Sequence, residues 1–320
     1  MADMINMIVL IIGLILLLKG ADFFVEGSSA LALRLKVPQI VIGLTVVAFG
    51  TSAPELIVSV FSAMKGQNEI AVANVVGSNL FNIFMILGIT GLIVPLQVKE
   101  TSVWREIPFS LIVTLVCFAL FNDTFFDAAN DNYLSRIDSI VLLALFVLFI
   151  IYNFILIKAD SSSDYEISPL SNIRIIIYII LGLSALVFGG RLVVNSAVKI
   201  AESFHVSTKI IGLTIVAAGT SLPELITSIV AARKGKADIA VGNVVGSNIF
   251  NTTLILGVSG LMYPIKYNSN FNYDMALLIT GSVLLFIFMF TFKRHKLDRP
   301  ESMIFLIAYV VYVLITLLNV

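Results

Sequence analysis

Apolar stretches of 17 to 27 residues, separated by short polar connections, follow one another along the whole chain. A membrane span needs about 20 mostly apolar residues. The pattern therefore predicts ten spanning helices, at 5–31, 40–63, 70–96, 105–121, 137–157, 173–198, 209–232, 239–264, 273–292 and 301–319. The longest polar connections run from Asn122 to Arg136 and from Lys158 to Asn172. The first apolar run lacks a preceding basic segment and a small-residue cleavage site, so it reads as a retained span and not as a removed signal peptide.

Loop charges orient these spans. With the N-terminus outside, the inner connections and span ends carry 13 lysines and arginines and the outer ones 5, the outer set being Lys65, Arg136, Lys199, Lys209 and Lys266. The positive-inside rule then places both termini on the extracellular or periplasmic face of a multi-pass protein of the cell membrane.

Residues 42–96 and 211–265 align without a gap at an offset of 169, with 34 of 55 positions identical. Shared hydrophobicity does not account for this, because Thr51/Thr220, Ser52/Ser221, Pro54/Pro223, Glu55/Glu224, Ser78/Ser247 and Asn82/Asn251 all match. Five spans per half place the second copy in the opposite orientation to the first. The expected fold is all-α and integral to the membrane: ten transmembrane helices as two inverted five-helix repeats, residues 1–158 and 173–320, joined by a polar cytoplasmic linker at 159–172. Inverted repeats with interrupted helices are an architecture of secondary transporters.

Composition narrows the function classes. Of 320 residues, 59% are hydrophobic and 12% charged, against roughly a quarter charged in soluble domains. Zero net charge argues against a nucleic-acid partner. The single cysteine, Cys117, cannot form an internal disulfide and reads as a small lipid-facing or packed residue. The linker is too short for a regulatory domain. No Gly-x-x-x-x-Gly-Lys-Ser/Thr loop occurs, and neither a nucleophile–base pair nor a cofactor loop is evident, so an enzyme and a resident cofactor are not expected.

Glu55 and Glu224 fall near the middle of their spans, where a charge costs about 2.5–3.5 kcal/mol on insertion scales. No lysine or arginine lies at comparable depth in the sequence, which leaves a bound cation or protonation to offset that cost. Ala48, Thr51, Ser52 and Glu55 are spaced i, i+3, i+4, i+7 and share one helix face, as do Ala217, Thr220, Ser221 and Glu224. Pro54 and Pro223 free the carbonyls of Gly50 and Gly219 from the helix ladder. Ser78 and Asn82, and likewise Ser247 and Asn251, are i, i+4 pairs. Carboxylate, amide, hydroxyl and backbone oxygens without His or Cys select hard ions such as calcium, sodium or magnesium, and two carboxylates match one divalent charge. For Ser78 and Ser247, close helix packing explains the small residue equally well. Gly77, Gly88, Gly246 and Gly257 read as packing residues.

The two GTS-x-PE segments, each followed by GN/AN-VVGSN-x-FN, resemble the alpha repeats of the calcium/cation antiporter superfamily, and the chain resembles its sodium/calcium exchangers in their compact microbial form. The resemblance implies two sliding helices, the first and sixth, against a core of eight. It also implies one calcium and several sodium sites between spans 2, 3, 7 and 8. By motif position the ligands would be Glu55, Glu224, Asn82, Asn251, Ser52, Ser221, Ser78, Ser247, Thr51 and Thr220, with the backbone oxygens of Ala48 and Ala217. Some relatives carry Asp at the position of Asn251, which implies fewer negative charges here and no potassium requirement. Proton-coupled relatives place a further acid in the third and eighth spans, where this chain has Asn. The expectation is thus sodium/calcium antiport by a monomer in the lipid bilayer. A proton/calcium or other divalent exchanger on the same fold is the alternative, and a passive cation channel a more distant one.

Other charged residues have simpler readings. Asp22 and Glu26, near the inner end of the first span, are expected to pair locally with Lys19 or to snorkel to the interface, or else to steer ions at an entrance; Arg191 is the repeat mate of Asp22. Asp123, Asp127 and Asp131 fail the EF-hand spacing and read as a solvated loop.

Overall fold

The computed structural model describes residues 2–126, 132–159, 170–204 and 217–318. Its helices are α1 (Ala2–Leu35), α2 (Gln39–Thr51), α3 (Ala53–Met64), α4 (Asn68–Ile93), α5 (Glu100–Phe121), α6 (Arg136–Ala159), α7 (Asn172–Ser203), α8 (Leu222–Arg233), α9 (Ala237–Met262), α10 (Asn272–Phe288) and α11 (Arg299–Leu318). Among the described residues, eight helices are long and apolar enough to cross a membrane, and α2 with α3, bent by 50°, makes a ninth span if counted as one. The expected span 209–232 is described only from Ala217, through the short helix Ala217–Gly219 and α8. Lys209, Asp127 and Asp131, and most of the 159–172 linker, lie outside the described residues.

Two helices form the centre. The most apolar stretch of α9 is 94% buried and that of α4 72%, against 17% for α11 and 22% for α6. The outer helices turn Ile, Leu and Phe outward, among them Ile15, Phe154, Ile180 and Leu314, which is the composition a lipid-facing surface requires. Cys117 is buried and is therefore a packed residue.

Helices α1 and α7 pack along much of their length, and glycine permits the close approach. Gly13, Gly20 and Gly27 recur every seven residues on one face of α1, and Gly182 and Gly189 do the same on α7. A Cβ at Gly20 would lie 2.9 Å from the Gly182 oxygen, and one at Gly189 would lie 2.9 Å from the Gly13 oxygen. Backbones thus touch directly across the interface.

The turns after α3 and α8 are built alike. Gly66 and Gly235 have φ of 71° and 72°, the left-handed conformation that glycine adopts without a Cβ clash. In each turn two N–H groups return to the helix: Gly66 to Ala63 and Gln67 to Ser62, then Gly235 to Ala232 and Lys236 to Ala231. These bonds satisfy carbonyls that a helix end otherwise orphans.

Two short antiparallel ribbons fasten the first half of the chain to the second. Strand β1 (Leu96–Gln97) pairs with β4 (Lys296–Leu297), and β2 (Tyr133–Leu134) with β3 (Ile265–Lys266). Carboxylate–tyrosine bonds tie the outer helices: Tyr152 donates to Glu106 at 3.0 Å between α6 and α5, and Tyr312 to Asp274 at 2.8 Å between α11 and α10. Asp22 and Glu26 do not pair with Lys19 as expected. They meet Lys234, which lies just after α8, at 3.1 and 3.9 Å. The turn after α8 packs beside α1 and offers a cation that the sequence separates from them by about two hundred positions. Asp123 accepts the Tyr133 N–H at 3.1 Å.

Gly20→Leu should force α1 and α7 apart at a cost of about 1–3 kcal/mol. The expected result is a lower thermal midpoint of the purified protein in detergent; an unchanged midpoint would mean that the glycine contact does not hold the pair.

Candidate cation site

The site begins with a broken helix in each half. Ser52 and Ser221 leave the helical conformation, with φ, ψ of −83°, 5° and −91°, 8°. Pro54 and Pro223 stand at the first positions of the next helix, where their missing N–H is tolerated. Glu55 and Glu224 consequently fall in the first turns of α3 and α8, at helix N-termini whose dipoles favour an anion by about 0.3–1 kcal/mol. That is too little to offset burial, and both glutamates are buried almost completely, at 0% and 1% exposure.

The two breaks are interlocked. Ser52 Oγ donates to Glu224 Oε1 at 3.0 Å, and Ser221 Oγ donates to Glu55 Oε1 at 3.1 Å. Ser221 Oγ is also 3.1 Å from Ser78 Oγ. Thr51 and Thr220 stand beside the carboxylates of Glu224 and Glu55. Hydroxyls from each half thus serve the carboxylate of the other. The second carboxylate oxygen of each glutamate is buried without a partner, and so are Asn82 Oδ1, Asn251 Oδ1 and Ser247 Oγ. Buried polar atoms in folded proteins are nearly always satisfied. Carboxylate and amide oxygens accept and do not donate, so these oxygens, with the Ser247 hydroxyl, form a candidate ligand set for a cation; other buried side-chain atoms, among them Thr227 Oγ1, Thr90 Oγ1 and Ser302 Oγ, are likewise without a partner. Among the described residues no lysine or arginine pairs with either glutamate, and no group of three or more His, Cys, Asp or Glu is placed to hold a metal. The set is two carboxylates with neutral oxygens, which suits a hard ion.

Asn82 and Asn251 lie in stretches of π-helix, Phe81–Ile86 and Phe250–Ile255, a widened turn common at functional sites. Their amide nitrogens are occupied: Asn82 Nδ2 donates to Asn248 Oδ1 at 2.9 Å, and Asn251 Nδ2 to Asn79 Oδ1 at 3.0 Å. Asn79 in turn donates to Thr252 at 2.9 Å. Asn79 Nδ2 also donates to the Asn248 carbonyl at 3.4 Å, which sets the orientation of the Asn79 amide and through it that of Asn251.

Of the expected residues, the geometry joins Ser52 with Glu224, and Ser221 with Glu55 and Ser78, in two hydrogen-bonded groups that each cross between the halves. Thr51 turns its hydroxyl towards the carbonyls of Val47 and Ala48, at 3.1 and 3.4 Å, and towards Asn243 Oδ1 at 3.0 Å. The Ala48 carbonyl also accepts the Ser52 N–H at 3.0 Å, so only a lone pair outside the helix ladder would be available to an ion. Ala217 opens the short helix before the second break. Asn74, Asn79, Asn243 and Asn248 were not among the expected residues. Asn74 donates to the Glu55 carbonyl at 3.2 Å and Asn243 to the Glu224 carbonyl at 3.3 Å. Their identity in both copies was the signal that could have found them.

Comparison with known proteins bears on the family and the fold. The family described as sodium/calcium exchanger protein matches residues 5–155 and 174–318. The chain is 35% identical over 315 residues to the putative antiporter CaxA of Alkalimonas amylolytica, covering 95% of this chain and 96% of that protein. It is 37% identical over 265 residues to the inner membrane protein YrbG of Escherichia coli, covering 80% and 79%. Its structure is similar to that of the sodium-calcium exchanger NCX_Mj soaked with 10 mM sodium and no calcium, with a TM-score of 0.82, 33% identity, and coverage of 97% of this chain and 98% of that one.

Glu55→Gln and Glu224→Gln each remove one of two formal charges and should weaken calcium binding by about tenfold or more, because carboxylate count sets affinity at such sites. Radioactive calcium binding to the purified, folded variants measures this; binding at the parental level in either variant would remove that carboxylate from the ligand set.

Proposed function

We propose that this chain, which belongs to the sodium/calcium exchanger protein family, is a secondary antiporter that exchanges sodium for calcium across the cell membrane by alternating access. The observation that carries this reading is the pair of buried glutamates from the two halves, each with one free oxygen among free amide and hydroxyl oxygens. Like unit charges a few ångströms apart repel by about 3–4 kcal/mol at an effective dielectric of about 20. Calcium relieves that repulsion with one ion, and sodium with more than one. An empty, doubly negative site is costly to carry through the occluded state, so loaded sites switch and empty ones do not, which is the condition for exchange. Glu55, Glu224, Asn82, Asn251, Ser52, Ser221, Ser78 and Ser247 are the proposed side-chain ligands, with Thr51, Thr220 and the carbonyls of Ala48 and Ala217 completing the shells.

The proposed frame is ten spans in two inverted halves, 1–158 and 173–320, with both termini outside and the 159–172 linker inside. The offset of 169 supports it beyond sequence. Asn74–Ser59 and Asn243–Ser228 are bonded at 2.8 and 3.0 Å, and the Ser–Glu bonds cross between the halves in matching pairs. All ligands come from one chain, so a monomer suffices. The two asparagines, in place of further acids, support sodium over protons as the coupling ion.

The test is calcium uptake by proteoliposomes loaded with sodium and diluted into sodium-free buffer, beside potassium-loaded and acid-loaded vesicles. Uptake that requires internal sodium is the expected result. Uptake driven only by acid would replace sodium with protons, and downhill flux without any counter-ion would mean a channel.

A further inference from the structure

We propose that a single water molecule, held by Ser110, Ser282 and Asn248, is a fixed part of the cation site. It sets the amide of Asn248, and through it turns the oxygen of Asn82 towards the ion. Ser110 and Ser282 are then positioning residues that touch no ion. The proposal rests on the reading of Asn82 as a cation ligand.

The two asparagine ligands have equivalent partners, but those partners are not held alike. Asn251 Nδ2 donates to Asn79 Oδ1 at 3.0 Å and Asn82 Nδ2 to Asn248 Oδ1 at 2.9 Å. The protein itself holds Asn79, whose Nδ2 donates to Thr252 Oγ1 at 2.9 Å and to the Asn248 carbonyl at 3.4 Å. Asn248 is the repeat mate of Asn79, at the same offset of 169. In the first copy, however, Ile83 stands where the second has Thr252, and isoleucine has no oxygen to accept an amide proton. Asn248 Nδ2 has no acceptor among the described residues.

A cavity lies beside that nitrogen. Asn248 and Ile83 form part of its wall, with Ser110 of α5 and Ser282 of α10, and the remaining wall residues are valine, leucine and isoleucine. Every wall residue is described and buried, and the helices α4, α5, α9 and α10 enclose the space. Its volume of about 10 Å³ suits one water and no larger ligand.

The wall offers three polar groups, within the roughly two to four that a buried water requires. Asn248 Oδ1 is engaged by Asn82, which leaves its N–H end for the cavity. That end donates to a water oxygen and repels a cation, so neutral water is the occupant that fits. Ser282 Oγ gives its own proton to the Leu278 carbonyl at 2.9 Å, and its lone pairs accept from the water. Ser110 Oγ has no hydrogen bond to a described residue and can take either role.

This orientation decides what the ion meets. If Asn248 turned over, its Nδ2 would face Asn82, and Asn82 would have to offer Oδ1 to keep the bond. The oxygen proposed for the ion would then be occupied. Water bonded to Asn248 Nδ2 favours the first arrangement, the task that Thr252 performs directly for Asn79.

The test is radioactive calcium binding to three purified proteins: the parent, the double variant Ser110→Ala with Ser282→Ala, and that double variant with Ile83→Thr added. Without the two hydroxyls the water keeps one partner. Calcium affinity should then fall about tenfold, the lower end of the loss when a group that orients a metal ligand is removed. Ile83→Thr gives Asn248 the hydroxyl that Thr252 gives Asn79, and should restore most of the lost affinity. Thermal midpoints of the variants separate ligation from folding, and Ser282→Ala alone, with and without Ile83→Thr, provides the same comparison should the double variant not fold. A crystal structure of the parent should also show an ordered water within hydrogen-bonding reach of Asn248 Nδ2. Parental affinity in the double variant, a loss that Ile83→Thr does not repair, or a dry cavity would overturn the proposal and leave the serines as packing residues. A parent protein that binds no calcium would instead overturn the reading of the cation site itself.

Discussion

Two carboxylates buried in the middle of an apolar helical bundle are the constraint around which the rest of this structure is arranged. Neither glutamate has a basic partner among the described residues, and each receives a single hydroxyl from the opposite half, Ser52 to Glu224 and Ser221 to Glu55. Those two bonds require both helices to break at the same depth and the breaks to lie against one another. Proline two residues after each serine makes the break, and the helix N-terminus that follows presents the glutamate. On the proposed reading, the remaining charge is balanced by a bound ion.

The neutral part of the site is organised by asparagines acting on asparagines. Asn79 and Asn248 occupy the amide nitrogens of Asn251 and Asn82, so the oxygens of those two amides remain unpartnered. An amide free to rotate would present either end to the ion, and only the oxygen end is a ligand. The π-helical turns at Phe81–Ile86 and Phe250–Ile255 place these side chains in a widened part of the helix. On the proposed reading, ligation would depend also on Asn79 and Asn248, which hold the amides of Asn251 and Asn82.

The scaffold separates into a closely packed pair and a surrounding frame. Glycines bring the backbones of α1 and α7 together, while the two ribbons and the Tyr152–Glu106 and Tyr312–Asp274 bonds fasten helices of the frame. Contact between the pair and the frame includes the bond of Lys234 to Asp22 at 3.1 Å, on partly exposed side chains. Such a bond contributes little to stability.

Much of this was legible in the chain. Hydropathy alone located eight spanning helices and the bent pair α2–α3, because a helix long enough to cross lipid must satisfy its own backbone and turn apolar side chains outward. The offset of 169 and the doubled GTS-x-PE motif pointed to the two buried glutamates and the serines and asparagines near them, and Pro54 and Pro223 marked the breaks. Those features are covalent and local, so they survive in the sequence. Other features were decided only when the two halves met: that each serine serves the other half's glutamate, that Asp22 pairs with Lys234 and not with nearby Lys19, and that Asn74 and Asn243 hold the glutamate carbonyls. The identity of the oxygens left unpartnered comes from which partner each buried polar group finds across the interface, a pairing between residues far apart in the chain that no local pattern records.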